Sequence, residues 1–436
     1  MKSAEQGSYM PAGDRRRTGE PDVERTIPAS GYANASPYDM VELAAWLMLC
    51  LFVFCMPWEK GILVSGIGSI ARVAGILAFA TGAIAVARRR KLRQPNLILL
   101  AGGIFVAWSA FSWLWSIDPG ATVARVATLA QLLAMMWLIW ELCRGPRRQA
   151  QLMSAYVLGA VVGAGVTFFR YSMSMQTYYR RYAATGFDPN DFGLILAVAI
   201  PFALYLAYRH GGWWQWAWYA SGLFVIAALL LTASRTALIC TFVGFLFVPL
   251  MWRQLRNGQR LACGVLLGYL IVSLVGIAPS ASRERLSTIP GEITQGSMNS
   301  RKTIWKSGAR YWLQHPVLGA GAGAYPEAVR PELGVPSLKD ARYVAHNTFL
   351  SVSVETGILG FALFTLFLGT VALSIWTMHG TERAFWAVML LVWCTGVLTL
   401  TWEHYKVTWM LFALVGTEWA HNWWRRDNTT QSSEPA

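Results

Sequence analysis

The sequence predicts an all-α polytopic membrane protein of about 12 transmembrane helices, with a large outer-face loop between spans 9 and 10. Three observations predict it. Hydrophobic residues make up 55% of the chain and charged residues only 14%, where a soluble domain carries about a quarter. Apolar runs of about 18 residues or more recur along the chain, each long enough to cross a bilayer as a helix. Hydrocarbon also demands that backbone groups be satisfied within a segment, and the short alternating strands of a barrel are absent from the pattern.

Taken in order, residues 1–39 are polar, carry Arg15-Arg16-Arg17 and several Gly, Pro and Ser, and have no apolar core of a cleavable signal. They read as a disordered cytoplasmic tail. Spans are expected at 40–57, 66–87, 96–115, 122–143, 150–168, 192–208, 214–232, 236–251 and 260–279. After the polar segment 280–356 come three more, at 357–376, 384–401 and 406–424, and then a tail at 425–436. Between spans seven and eight, Thr232-Ala233-Ser234-Arg235-Thr236 is read as a hairpin tip, because an arginine at bilayer centre costs at least ~2.5–3.5 kcal/mol. Gly159 and Gly163 form a GxxxG pair, a sign of close helix packing. Trp213, Trp214, Trp216 and Trp218 gather at the start of the seventh span, as interfacial belts do.

The net charge of +14 finds its first explanation in short loops that orient the chain. Residues 88–93, 144–148, Arg209, 253–260 and Arg425-Arg426 all fall on one side if the N-terminus is cytoplasmic, which places both termini inside. No nucleic-acid partner is therefore expected. The six cysteines sit in or at the edges of apolar spans, so no disulfide framework and no metal spacing is expected.

Three outer-face segments break the charge pattern: loop 169–191 with Arg170, Arg180 and Arg181, the tip at Arg235, and segment 280–345. That last segment holds nine Lys or Arg, among them Arg283, Arg285, Arg301, Lys302, Lys306 and Arg310, against five acidic residues. Positive charge there does not help orientation, so it points to an anion. Arg235 is the leading cation, because a guanidinium grips phosphate oxygens bidentately and keeps its charge; Arg301-Lys302 and Arg180-Arg181 are two more basic pairs. His346 is the one candidate proton acceptor in a suggestive context, beside the cap residue Asn347 and a helix-like run. His315 and His404 are outer-side reserves. The turn Gly186 to Gly193 contains Asp188 and Asn190, suited to capping a helix and secondarily to hydrogen bonding a sugar.

Several motifs fail. Gly319-x-Gly321-x-Gly323 is read as lacking the strand before and helix after that a phosphate loop needs. Outer loops have no DxD pair, and no HExxH or His/Cys cluster suggests a metal. No cofactor is expected.

Ser234-Arg235-Thr236-Ala237, Arg301 with Trp305, Pro316 to Gly323, His346-Asn347 and Glu355-Thr356-Gly357-Ile358-Leu359-Gly360 together resemble the O-antigen ligase family over about Gly186 to Gly360. That resemblance implies a multi-pass bacterial inner-membrane enzyme with a periplasmic active site. Its expected substrates are an undecaprenyl diphosphate-linked glycan donor and a lipid A–core oligosaccharide acceptor, met among membrane lipids. It also implies metal-independent, inverting transfer, with His346 and Arg235 catalytic and Arg235, Arg301, Arg180, Arg181 and Lys302 at the diphosphate; Asn347, Asp188 and Asn190 are secondary contacts. The residues alone leave other readings open: an O-antigen polymerase, a protein O-oligosaccharyltransferase, or a transporter of an anionic lipid.

Overall fold

The computed structural model describes residues 37–176, 181–273, 301–334 and 343–431, and within them the side chains of 40–421. The expected N-terminal tail lies almost wholly outside the described residues, as do Arg180, Arg283 and Arg285.

The first half runs α1 (Pro37–Cys55), α2 (Ile70–Arg89), α3 (Leu97–Phe111), α4 (Pro119–Leu142), α5 (Pro146–Ser172), α6 (Pro189–Arg209), α7 (Trp214–Leu231), α8 (Arg235–Phe245), α9 (Phe247–Met251) and α10 (Asn257–Val272). The second half runs α11 (Arg301–Gln314), α12 (Tyr325–Leu333), α13 (Thr348–Thr377), α14 (Gly380–Val397) and α15 (Lys406–Gln431). A two-residue antiparallel pair, Leu63–Val64 with Gly68–Ser69, closes the turn between α1 and α2. Each expected span contains a helix. Eight of the described helices are long and apolar enough to cross a membrane, and Arg235–Met251 is a shorter apolar stretch. The surface of the bundle is apolar where lipid would meet it, with Ile76, Leu77, Ile104, Leu366 and Trp376 exposed.

At one end the arginine-rich turns are stitched together by carboxylates. Glu42 of α1 takes salt bridges from Arg89 at 2.9 Å and Arg148 at 2.7 Å, and Glu141 of α4 accepts from the backbone of Arg93 at 2.9 Å. The ends of α2 and α4 and the starts of α1 and α5 thus share one face, as the charge pattern requires.

Helix α6 is the central post, with 89% of its most apolar window buried inside the protein. It packs against α5, α7, α8 and α14. Asp188 caps it, accepting from the Asn190 amide, and Pro189 starts it with its φ already helical. Glycines let neighbours approach: a Cβ on Gly159 would lie 2.1 Å from the Phe54 carbonyl oxygen of α1. The expected hairpin is present. Leu231 ends α7, Ala233 turns through the left-handed region at φ 47°, and Ser234 caps α8 by accepting from the Ala237 amide.

Two differences from expectation matter. Segment 301–334, read as loop, contains the helices α11 and α12, which are too polar to be found by a search for spans. Helix α13 starts at Thr348, before the expected span boundary at 357, and is broken inside at Gly357 (φ 66°, ψ −171°). The polar residues Ser351, Ser353 and Glu355 hide this first segment from a hydropathy reading. At its other end, α15 continues past the expected limit of 424 to Gln431.

Gly357 has no alternative. A Cβ there would sit 2.0 Å from the Val317 carbonyl oxygen, and left-handed backbone strains any other residue by about 1–3 kcal/mol. Gly357→Ala is expected to lower the yield of monodisperse protein on size-exclusion chromatography in detergent; an unchanged yield and melting temperature would contradict the packing described.

Candidate active site at the end away from the arginine-rich turns

The opposite end of the bundle gathers the starts of α6, α8, α11 and α13 with the turn between α14 and α15. His346 immediately precedes α13 and takes a left-handed φ of 47°, uncommon for a residue with a Cβ. Its neighbours fix it from both sides. The Ala345 carbonyl accepts from the Trp305 indole of α11 at 2.7 Å. The Asn347 carboxamide caps α13 through its oxygen, from the Leu350 amide at 2.9 Å, and its nitrogen donates to the Leu398 carbonyl at 3.2 Å. The Thr348 hydroxyl donates to the Leu400 carbonyl at 2.9 Å.

The same turn reaches Thr236, the residue after Arg235. Thr399 and Thr236 share a hydroxyl–hydroxyl hydrogen bond of 2.6 Å, so the start of α8 and the start of α13 flank residues 398–400. Arg181 backs the hairpin. It is 3% exposed, its Nε donates to the Thr232 carbonyl at 2.8 Å, and its Nη2 donates to Asn190 Oδ1 at 2.8 Å. Gly193 allows α6 and α8 to touch here, since a Cβ would fall 2.7 Å from that of Ala237.

Electrostatics tie the remaining residues to His346. Burial, reinforced by the positive charge of Arg301, pushes its imidazolium pKa down to about 4, against a smaller opposing pull from Asp188. The imidazole is therefore neutral at pH 7. Arg301 begins α11, with Lys302 exposed beside it. This end thus gathers His346, Asn347, Arg301, Asp188, Asn190 and Arg181 from distant parts of the sequence, with Arg235 at the start of α8 beside Thr236.

A second group at this end was not read from the sequence as a group, although His404 stood as an outer-side reserve and Glu355 among the motifs that carry the resemblance. Arg125 of α4 pairs with Glu403, lies 3.0 Å from His404 Nδ1, and is 3.7 Å from Glu355 Oε2. Glu403 and Glu355 are each 3% exposed. Burial disfavours charge on Glu403, but His404 and Arg125 outweigh it and hold the carboxyl below the usual carboxylate range. The one available signal was Arg125 itself, since a charge within a span needs a partner; nothing local says that Glu355 and Glu403 supply it. Nearby, Asp191 accepts from the Trp402 indole at 2.9 Å and the Tyr405 hydroxyl at 2.7 Å.

The glycine run needs a correction. Helix α12 does follow it, beginning at Tyr325. Helix α11 rather than a strand precedes it, and its amides are committed to the chain. Gly323 donates to Glu355 Oε2 at 2.6 Å and Gly321 to the Glu355 carbonyl at 2.8 Å. It clasps a carboxylate of its own chain.

Bundle and site together define a multi-pass helical membrane protein with a partly buried imidazole near the guanidinium of Arg301 at one end. A family model described as O-antigen ligase matches residues 220–365, the stretch that contains Arg235, Arg301, His346 and Glu355. That stretch, about a third of the chain, is similar to the O-antigen ligase family. None of the curated proteins compared with the chain matches it.

Proposed function

We propose that the protein is an O-antigen ligase. It transfers a polysaccharide from undecaprenyl diphosphate to a hydroxyl of lipid A–core, at the periplasmic face of a bacterial inner membrane with both termini cytoplasmic. The observation that carries the proposal is a neutral His346 under the charge of Arg301, within the family-matched stretch that also holds Arg235.

The acceptor hydroxyl is a weak nucleophile until a base takes its proton, and His346 is that base. The hydroxyl oxygen forms a bond to the donor's anomeric carbon as the bond from that carbon to the diphosphate oxygen breaks. The electron pair leaves on undecaprenyl diphosphate, whose growing negative charge Arg235, Arg301 and Lys302 stabilise. A single displacement of this kind inverts the anomeric centre and needs no metal. Arg181 and Asn190 support the reaction from behind, by holding the Arg235 hairpin against α6. Arg180 joins the same basic loop, and Asp188 and Asn347 line the approach to His346.

The test is purified protein with lipid-linked glycan and lipid A–core, with and without chelator. Glycan appearing on lipid A is the expected result. A ladder lengthening on the donor would identify a polymerase instead. Transfer abolished by chelator would overturn the metal-free displacement.

A further inference from the structure

We propose that Glu355 is a positioning residue for His346, setting the angle of the helix segment that carries it. The proposal rests on the ligase-type reading above.

The break at Gly357 separates Thr348–Thr356 from the rest of α13, so continuity of the helix does not fix that segment. The Pro316–Gly323 run is wedged into the break and takes over its backbone hydrogen bonds. Ile358 N donates to the Pro316 carbonyl at 2.8 Å, Ala320 N to the Val354 carbonyl at 2.8 Å, and Gly321 N to the Glu355 carbonyl at 2.8 Å. The wedge is tight, since a Cβ on Gly319 would lie 2.6 Å from Gly357 N.

The Glu355 side chain locks this joint. Its Oε2 accepts from Gly323 N at 2.6 Å and faces Arg125 Nη1 at 3.7 Å; its Oε1 accepts from the Ser351 hydroxyl at 3.4 Å. One buried carboxylate therefore joins the broken helix, the wedge and α4. A buried carboxyl group with three such partners is costly to disturb, because removing it strands the others.

Two consequences reach the site. His346 holds its left-handed backbone only while the surrounding structure over-determines it, and the Glu355 joint supplies the far anchor of the segment that begins two residues later. The wedge also continues directly from α11, which carries Arg301 and places Trp305 on the Ala345 carbonyl. Glu355 thus governs His346 through its own helix and Arg301 through the wedge.

The experiment compares Glu355→Ala and Glu355→Gln in the full-length protein. Glu355→Ala is expected to lower kcat about tenfold to a hundredfold, the scale of a small misplacement, with the donor KM little changed. Glu355→Gln keeps an oxygen for Gly323 N and is expected to recover part of that loss. A second reading is independent of transfer: the rate at which diethyl pyrocarbonate modifies His346, followed by mass spectrometry, with His210 and His379 at the other end as internal controls. His346 is expected to react several-fold faster in Glu355→Ala while the controls keep their rates. Unchanged His346 reactivity and unchanged kcat would overturn the positioning role. Faster modification with unchanged transfer would leave positioning intact and remove His346 as the base. If the controls also accelerate, the alanine variant is misfolded and Glu355→Gln decides by the same two readings.

Discussion

Replacing His346 with alanine is expected to lower glycan transfer by about 10²–10⁴, the usual worth of a general base, while leaving donor binding near its original strength. The pH profile makes the expectation sharper. With a pKa pushed down to about 4 by burial and by Arg301, the imidazole is neutral at every pH well above that value. The profile of kcat/KM, which reports the free enzyme, should stay level from neutral pH downward and fall only as pH approaches 4. Once the donor is bound, the diphosphate offsets the charge of Arg301 and the pKa rises. The acidic limb of kcat should therefore lie at higher pH than that of kcat/KM, and the base should gain strength when the reaction needs it. Both limbs come from one series of initial rates across pH. An alanine variant retaining most of its activity would dismiss His346 from the chemistry, and coincident limbs would dismiss the coupling to the donor's charge.

The second large effect is expected at Arg235. Glutamine there removes the charge proposed to meet the leaving diphosphate and should lower kcat by about 10²–10³, as loss of one preorganised donor does. Lysine restores the charge without the planar fork and should recover only part of the rate. The contrast with a folding defect is measurable, because the cap that begins α8 belongs to Ser234 and the link to the 398–400 turn belongs to Thr236. Melting temperatures of both variants, set beside their rates, separate a loss of chemistry from a loss of fold. Equal rates for arginine, lysine and glutamine at this position would remove it from the site.

How far the sequence carried this reading depended on the length of the signal. Apolar runs of span length revealed the helices, since each must satisfy its backbone alone in lipid. The hairpin at Arg235 was legible because an arginine between apolar walls has few places to go. His346 stood out through its neighbour Asn347 and the helix-like run that follows, and Asn347 does cap α13. The segment 348–356 was not legible as helix, because Ser351 and Glu355 look like loop residues until Gly323 and Arg125 are set against them. The same holds for Arg181, whose charge suggested an anion while its guanidinium reaches the Thr232 carbonyl and Asn190. The decisive pairings, Gly323 and Arg125 with Glu355 and Arg181 with Thr232, join residues far apart in the chain, and no local window contains both members.

The near-complete enclosure of α6 has a mechanical consequence. A rod surrounded by other rods can neither tilt nor slide without disturbing all of them, so Asp188, Asn190 and Asp191 at its tip form a stationary reference. Any movement that admits a lipid-borne substrate is expected in the parts arranged around this axle rather than in the axle itself.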